Sequence, residues 1–169
     1  MPEIEEKLAM QAILAVSSTA AIIKLSQVLE THSGSTYQLG HQTVLLDAKT
    51  NLIFMALADA LQWVALDRTL IALIAAIITA IGGPLSELPF VAHGFWHYNI
   101  DAADYLPLSS TIQSGGIADT IASRLLGEKY EELSLSSITG PCYFAVTLDA
   151  IALGRYIYQT TDEGRNDVN

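Results

Sequence analysis

Apolar positions in this chain gather in long runs instead of alternating or keeping to one helical stripe. Residues 51–66 (NLIFMALADALQWVAL) and 69–91 (TLIALIAAIITAIGGPLSELPFV) stand back to back, separated by Asp67 and Arg68. The second run opens with an uncharged, breaker-free stretch from Thr69 to Ile81. A helix at a watery surface needs a polar face, and this one has none. About 20 apolar residues span the hydrocarbon core of a bilayer, so the pair predicts a membrane hairpin turning at Asp67-Arg68.

Two further runs flank the pair. Residues 8–29 are weakly apolar and carry Ser17, Ser18, Thr19 and Lys24. Small hydroxyl residues suit close packing of membrane helices, and Lys24 lies near enough to the end to snorkel. Residues 138–158 form the last run. Between the first two runs, residues 30–50 read as a polar connector rich in Gly, Ser, Thr and His. Gly82-Gly83-Pro84 interrupts the third run and predicts a kink rather than an end, because Pro84 cannot donate to a carbonyl one turn back. That run leaves the membrane at His93-Gly94-Phe95-Trp96-His97-Tyr98, whose aromatic residues suit the headgroup level. In the more soluble-looking stretch beyond, Ile117, Ile121, Leu125 and Leu126 recur at helical spacing and predict a helix over residues 117–130. The expected fold is therefore all-α. It is one polytopic membrane bundle over residues 1–169, with transmembrane helices at about 8–29, 51–66, 69–92 and 138–158 and one surface helix in a last loop at about 99–137.

Composition supports this reading. The chain is 51% hydrophobic and 15% charged, with a mean hydropathy of +0.36, against about 25% charged residues in an ordinary soluble domain. A net charge of −10 argues against nucleic acid and against a polybasic anchor on anionic lipid. The single cysteine, Cys142, excludes an internal disulfide and a multi-cysteine zinc site. The start, MPEIEEKLAMQ, lacks the cationic region of a secretory signal, so the first apolar run is expected to be retained. With both ends of the chain cytoplasmic, that side holds Lys7, Arg68, Arg155 and Arg165, and the opposite side Lys49, Arg124 and Lys129. This is a slight positive-inside bias.

Three acids fall within apolar runs: Asp59, Glu87 and Asp149. A charged aspartate at a helix centre costs about 2.5–3.5 kcal/mol on insertion scales, so such residues face the bundle interior. Either they bond across helices and fix packing, or they form an ion or proton path through a small oligomeric transporter or channel. The latter requires the three acids to converge on one cavity. Asp67 and Arg68 suit the polar tip of a hairpin, and equally a docking point for a partner helix. His93 and His97 share a helical face, but HGFWH lacks the glutamate of the usual zinc-protease pattern. With Glu87 they would suit a lipid-modifying enzyme only if all three came within hydrogen-bond reach. Cys142 has no framing His and Asp, and GGPLSE lacks the lysine of a phosphate loop.

Taken in order, Leu61-Gln62-Trp63, Asp67-Arg68-Thr69, Gly94-Phe95-Trp96-His97-Tyr98, Pro141-Cys142-Tyr143-Phe144 and Leu153-Gly154-Arg155 resemble the Insig family (insulin-induced gene proteins) of polytopic sterol-regulatory membrane proteins. That family has a tryptophan-rich helix ending in Phe-Asp-Arg-Ser, an apolar helix with an aromatic exit, and a last helix with Leu-Pro-Cys and Gly-Arg. The resemblance covers about residues 50–158 and corresponds to the last four of the family's six helices. It implies a non-enzymatic protein of the endoplasmic reticulum membrane, without a cofactor. Such a protein binds a sterol or other lipid between helices and retains a multipass partner of the sterol-sensing-domain type. Asp67, with Arg68, matches the family's partner-binding aspartate. Trp63 matches a tryptophan near the sterol face, and Arg155 the arginine closing the last helix. Thr50 stands where the family has a lipid-contacting glutamine. Asp149 lies where the family's last helix is glycine-rich. The acid after the aromatic exit matches Asp101 by spacing or Asp104 by its neighbours. Residues 109–137 have no counterpart in the family.

Overall fold

The computed structural model describes residues 2–39, 42–98, 104, 114–127 and 129–166. Five helices dominate it: α1 Pro2–Thr31, α2 Ala48–Leu66, α3 Leu70–Ala92, α4 Ile117–Leu126 and α5 Thr139–Asn166. A 3-10 turn covers Tyr130–Glu132. The polar connector also holds a small antiparallel hairpin, β1 Thr36–Leu39 and β2 Gln42–Leu45, in register Tyr37 opposite Val44.

The long helices run alternately. Asn51 Nδ2 donates to the Leu29 carbonyl, joining the end of α1 to the start of α2. Arg155 on α5 pairs with Asp67 at the end of α2. Tyr143 near the start of α5 donates to Glu87 near the end of α3. α5 lies at the centre and touches α1, α2 and α3. The hairpin, the end of α3, α4 and the start of α5 share one end of the bundle. The α2–α3 turn marks the other.

The core is mostly apolar but takes in several polar residues, while many large apolar side chains are exposed. The buried stripe of α2 is Asn51, Met55, Asp59, Gln62 and Leu66, one face at helical spacing that includes three polar residues. Its exposed face carries Leu52, Ile53, Phe54, Leu57, Leu61 and Val64. α1 buries Thr19 and Ser26 together with Ala15, Ile22 and Leu29, while Met10, Ile13, Leu14 and Val16 are exposed. α3 buries Ala72, Ala76 and Pro84 and exposes Ile71, Ile74, Ile77, Ile78 and Ile81. In water such surface would collapse onto a partner; in hydrocarbon it costs nothing.

Two helices are long and apolar enough to cross a membrane, over Glu5–Thr31 and Leu70–Ala92, and only 22% and 17% of those stretches are buried within the fold. Both are mostly exposed within the fold, which suggests association with a membrane. Four spans were expected. α2 and α5 interrupt their apolar character with Asn51, Asp59 and Gln62 and with Asp149 and Arg155, so length and composition mark two.

Small residues bring α3 and α5 together. A Cβ on Gly83 would collide with the Tyr143 ring, and one on Gly140 would sit 2.7 Å from the Ala80 carbonyl. Thr79 and Thr147 hydroxyls bond across the same seam at 2.6 Å. Interhelical bonds in membrane bundles average about 0.6 kcal/mol, so close backbone packing carries most of this contact. α3 continues as one helix past both Pro84 and Pro89.

α4 is shorter than expected. Gly127 takes φ +87° and ends it at Leu126, because only glycine adopts that conformation without strain. It rests Ala122 and Leu126 against Leu88 and Val91 of α3, and turns Ile117, Ile121 and Leu125 outward.

Candidate functional site

Three polar assemblies stand out, one at each end of the bundle and one at mid-depth.

The first is the α2–α3 turn. α2 ends because Asp67 leaves the helical region, and Arg68 takes φ +57°. Thr69 then caps α3 by accepting from the Ala72 N–H at 3.3 Å. The Trp63 indole N–H donates to the Thr69 carbonyl at 3.1 Å, clamping the turn from the α2 side. The Asp67 side chain is 3% exposed and is held by the Thr69 hydroxyl and by Arg155, itself 48% exposed. Trp63, Asp67 and Arg155, matched separately by the resemblance, thus belong to one assembly. Arg68 remains exposed, its Nε donating to the Val64 carbonyl at 2.6 Å. Asp67 is therefore a closed internal partner, and Arg68 is the outward group.

The second assembly lies at mid-depth between α1 and α2. Gln62 Nε2 donates to Ser18 Oγ at 3.1 Å and to Thr19 Oγ1 at 2.8 Å, and Thr19 Oγ1 donates to the Ala145 carbonyl at 3.3 Å. One turn away, Asp59 is 5% exposed. Its Oδ1, with Gln62 Oε1, Asn51 Oδ1 and Asp149 Oδ1, is buried without a hydrogen-bond partner.

The third is at the opposite end. Glu87 accepts from the Tyr98 and Tyr143 hydroxyls, the latter at 2.9 Å, and Thr139 donates to the Tyr98 oxygen at 3.2 Å. Burial pushes the Tyr98 phenol above its ordinary value, and the neighbouring Glu87 carboxylate adds to the rise. Asp104 accepts from the Ser137 N–H at 2.9 Å and the Ser137 hydroxyl at 2.8 Å, anchoring the start of α5. Asp101 lies outside the described residues.

The three acids of the apolar runs have different settings. Glu87 is engaged by two tyrosines at the end of α3, whereas Asp59 and Asp149 each keep an unpartnered oxygen. Nor do the histidines form a catalytic set with Glu87. His93 Nδ1 is bonded to the Pro89 carbonyl of its own helix at 2.6 Å, and His97 lines a separate cavity. Among the described residues no group of three or more His, Cys, Asp or Glu could hold a metal ion.

Thr50 and Trp63 lie at opposite ends of α2, about 20 Å apart at 1.5 Å per residue. Thr50 sits in the first turn, where its N–H donates to the Asp47 cap at 2.8 Å. The Thr50 hydroxyl and this N–H hold the Asp47 carboxyl below its usual range. One turn further along, Phe54 enters an apolar groove of about 270 Å³ with Val28, His32, Tyr37, Val44 and Leu46. The His32 and Tyr37 rings meet edge-on, 6.1 Å apart. The hairpin that builds this groove was not expected in the polar connector; the signal that could have shown it is the two-residue Gly-His link between TYQL and QTVL.

Comparison with family models, with curated proteins and with solved structures finds no match.

Proposed function

We propose that this chain is a non-enzymatic integral membrane protein, an Insig-type bundle of four spanning helices. It binds a sterol or similar lipid between α1 and α2 and holds a multipass membrane partner at the α2–α3 turn. The observation that carries the reading is the inverted α2, with Asn51, Asp59 and Gln62 inside and Leu52, Ile53, Leu57 and Leu61 outside. Its 19 residues reach about 28 Å, close to the thickness of a bilayer core. The groove beside Phe54 supports the lipid site. Its wall is aliphatic and aromatic, with the His32 and Tyr37 rings contributing to it, which suits the apolar body of a lipid. At the turn, the exposed Arg68 meets the partner, and Asp67 keeps the turn in shape through Thr69 and Arg155.

The test is extraction followed by photolabelling. The protein resists carbonate extraction from membranes, and a photoreactive sterol labels peptides within residues 28–54, with less labelling in Phe54→Asp. Release by carbonate overturns the membrane reading. Labelling scattered over all helices overturns the lipid site.

A second reading, an oligomeric transporter or channel, is favoured by the unpartnered oxygens of Asp59 and Asp149. It requires proton or cation flux in proteoliposomes that Asp59→Asn abolishes.

A further inference from the structure

At the far end of α3, two hollows lie one above the other along the same helix. The upper one is a cavity of about 570 Å³ lined by Val91, His97, Tyr98, Lys129, Glu132 and Ser134, among others. The lower is a groove of about 480 Å³ walled by Leu85, Leu88, Pro89, Ile121, Ala122 and Leu125. Each lies in the range of small-molecule sites, about 300–1,000 Å³. Leu126 lines both, and Leu88 and Val91 are neighbours on one face of α3, so the two hollows adjoin.

Their chemistry differs sharply. The upper cavity presents an ammonium, an imidazole, a carboxylate and hydroxyls. The groove is aliphatic throughout. Their order along α3 is also directional. The polar cavity lies beyond the helix end, at the level of the aromatic exit, and the groove extends back along the apolar helix. A polar head at the interface with a tail running into hydrocarbon is how a bilayer lipid already stands. α4 supplies the outer wall: its Ile121 and Leu125 face outward, continuous with the exposed Leu85 of α3.

We propose that this is a second lipid site, distinct from the α1–α2 groove, which takes a phospholipid with a zwitterionic primary-amine head. Lys129 and His97 donate to the phosphate, and Glu132 accepts from the ammonium. The acyl chain lies against Leu85, Leu88 and Pro89 beneath Ile121. Both charge signs in one cavity match a head carrying both. Among the described lining residues the carboxylate is that of Glu132, and it favours an ammonium with N–H bonds to give over a quaternary amine, which has none. The proposal rests on the membrane-embedded reading above.

The test uses the full chain in mild detergent, with native mass spectrometry after titration with phosphatidylethanolamine, phosphatidylcholine or phosphatidylglycerol of identical acyl chains. The expected result is one phosphatidylethanolamine retained per chain, about tenfold over the other two lipids. Glu132→Gln, at an exposed position with little risk to folding, erases the preference over phosphatidylcholine. Lys129→Gln weakens all three phospholipids. Ala118→Trp, also exposed, fills the groove and lowers retention whatever the head. Equal retention of the three lipids overturns the proposal, as does a preference unmoved by both Glu132→Gln and Ala118→Trp. A carbonate-resistant protein without this selectivity loses this site alone; a carbonate-extractable one loses the membrane reading as well.

Discussion

Arg155 on α5 reaches across the bundle to the carboxylate of Asp67, 88 residues earlier, and ties the central helix to the α2–α3 turn. Asp67 is nearly inaccessible, while Arg155 is half in solvent. Removing the arginine therefore strands a buried charge, whereas removing the aspartate leaves a guanidinium that water can reach.

Arg155→Ala accordingly destabilises more than Asp67→Ala, by about 1–2 kcal/mol over the other, and the double variant recovers part of the loss. Thermal unfolding of the four proteins in one detergent measures this. In partner capture, docking by the exposed Arg68 predicts loss with Arg68→Ala while the fold is unchanged. Equal losses in Arg68→Ala, Asp67→Ala and Arg155→Ala would assign the effect to the turn's shape instead.

Gly83 and Gly82 are neighbours on α3 with opposite expectations. A methyl at Gly83 meets the Tyr143 ring, while one at Gly82 meets nothing within 4 Å. Gly83→Ala pushes α5 away or turns the ring off Glu87, at a cost of about 1–3 kcal/mol. Gly82→Ala gains up to about 1 kcal/mol from helix propensity. A rise in the melting temperature of Gly83→Ala would contradict the close α3–α5 seam.

Asp59 has a buried oxygen that nothing in the described fold satisfies. If its role is only structural, Asp59→Leu raises stability by about 1–3 kcal/mol, since a buried polar group without a full set of partners is costly. If Asp59 carries ions, the variant is stable yet inactive in flux. A loss of stability would mean that the carboxyl has a binding partner in the assembled protein.

Acid loosens α4. The Tyr130 hydroxyl and the Gly115 N–H, the latter at 2.6 Å, hold the Asp119 carboxyl below its ordinary 3.8. A depressed value in the folded state means that this anchoring is complete above about pH 4 and is lost as pH falls through the lowered value. Hydrogen exchange over residues 114–126, corrected for intrinsic rates, speeds up below that point relative to the rest of the bundle. Asp119→Asn shows the faster exchange already at pH 6 and loses the acid step.

The long helices were legible because apolar, uncharged stretches such as 8–23 and 69–86 have few alternatives. α1 begins earlier than its apolar run, at Pro2. Proline in the first turn and Glu3, Glu5 and Glu6 behind it suit a helix start even where the sequence is polar. The polar stripe of α2 was written in the spacing of Asn51, Asp59 and Gln62 and could have been read as an inward face. The bonds from Tyr98 and Tyr143 to Glu87 could not, because sequence separation says nothing about which hydroxyl closes on which acid. Nor could the Asp67–Arg155 pair, whose reality depends on how far α5 slides along α2. The outward stripe of α4 was visible, but its direction was set by Ala122 docking on Leu88, a contact between elements far apart in the chain.

The helix that touches all the others is also the last of the four to leave the ribosome. Until α5 arrives, the Thr19 hydroxyl lacks its distant carbonyl, Tyr143 is missing from Glu87, and the small residues of α3 have no seam to fill. On the membrane reading proposed above, the chain through residue 138 is a set of helices whose inward polar groups lack their α5 partners, a state open to triage by proteases. Synthesis halted before residue 139 should give a short-lived fragment, and α5 supplied as a separate polypeptide should rescue it.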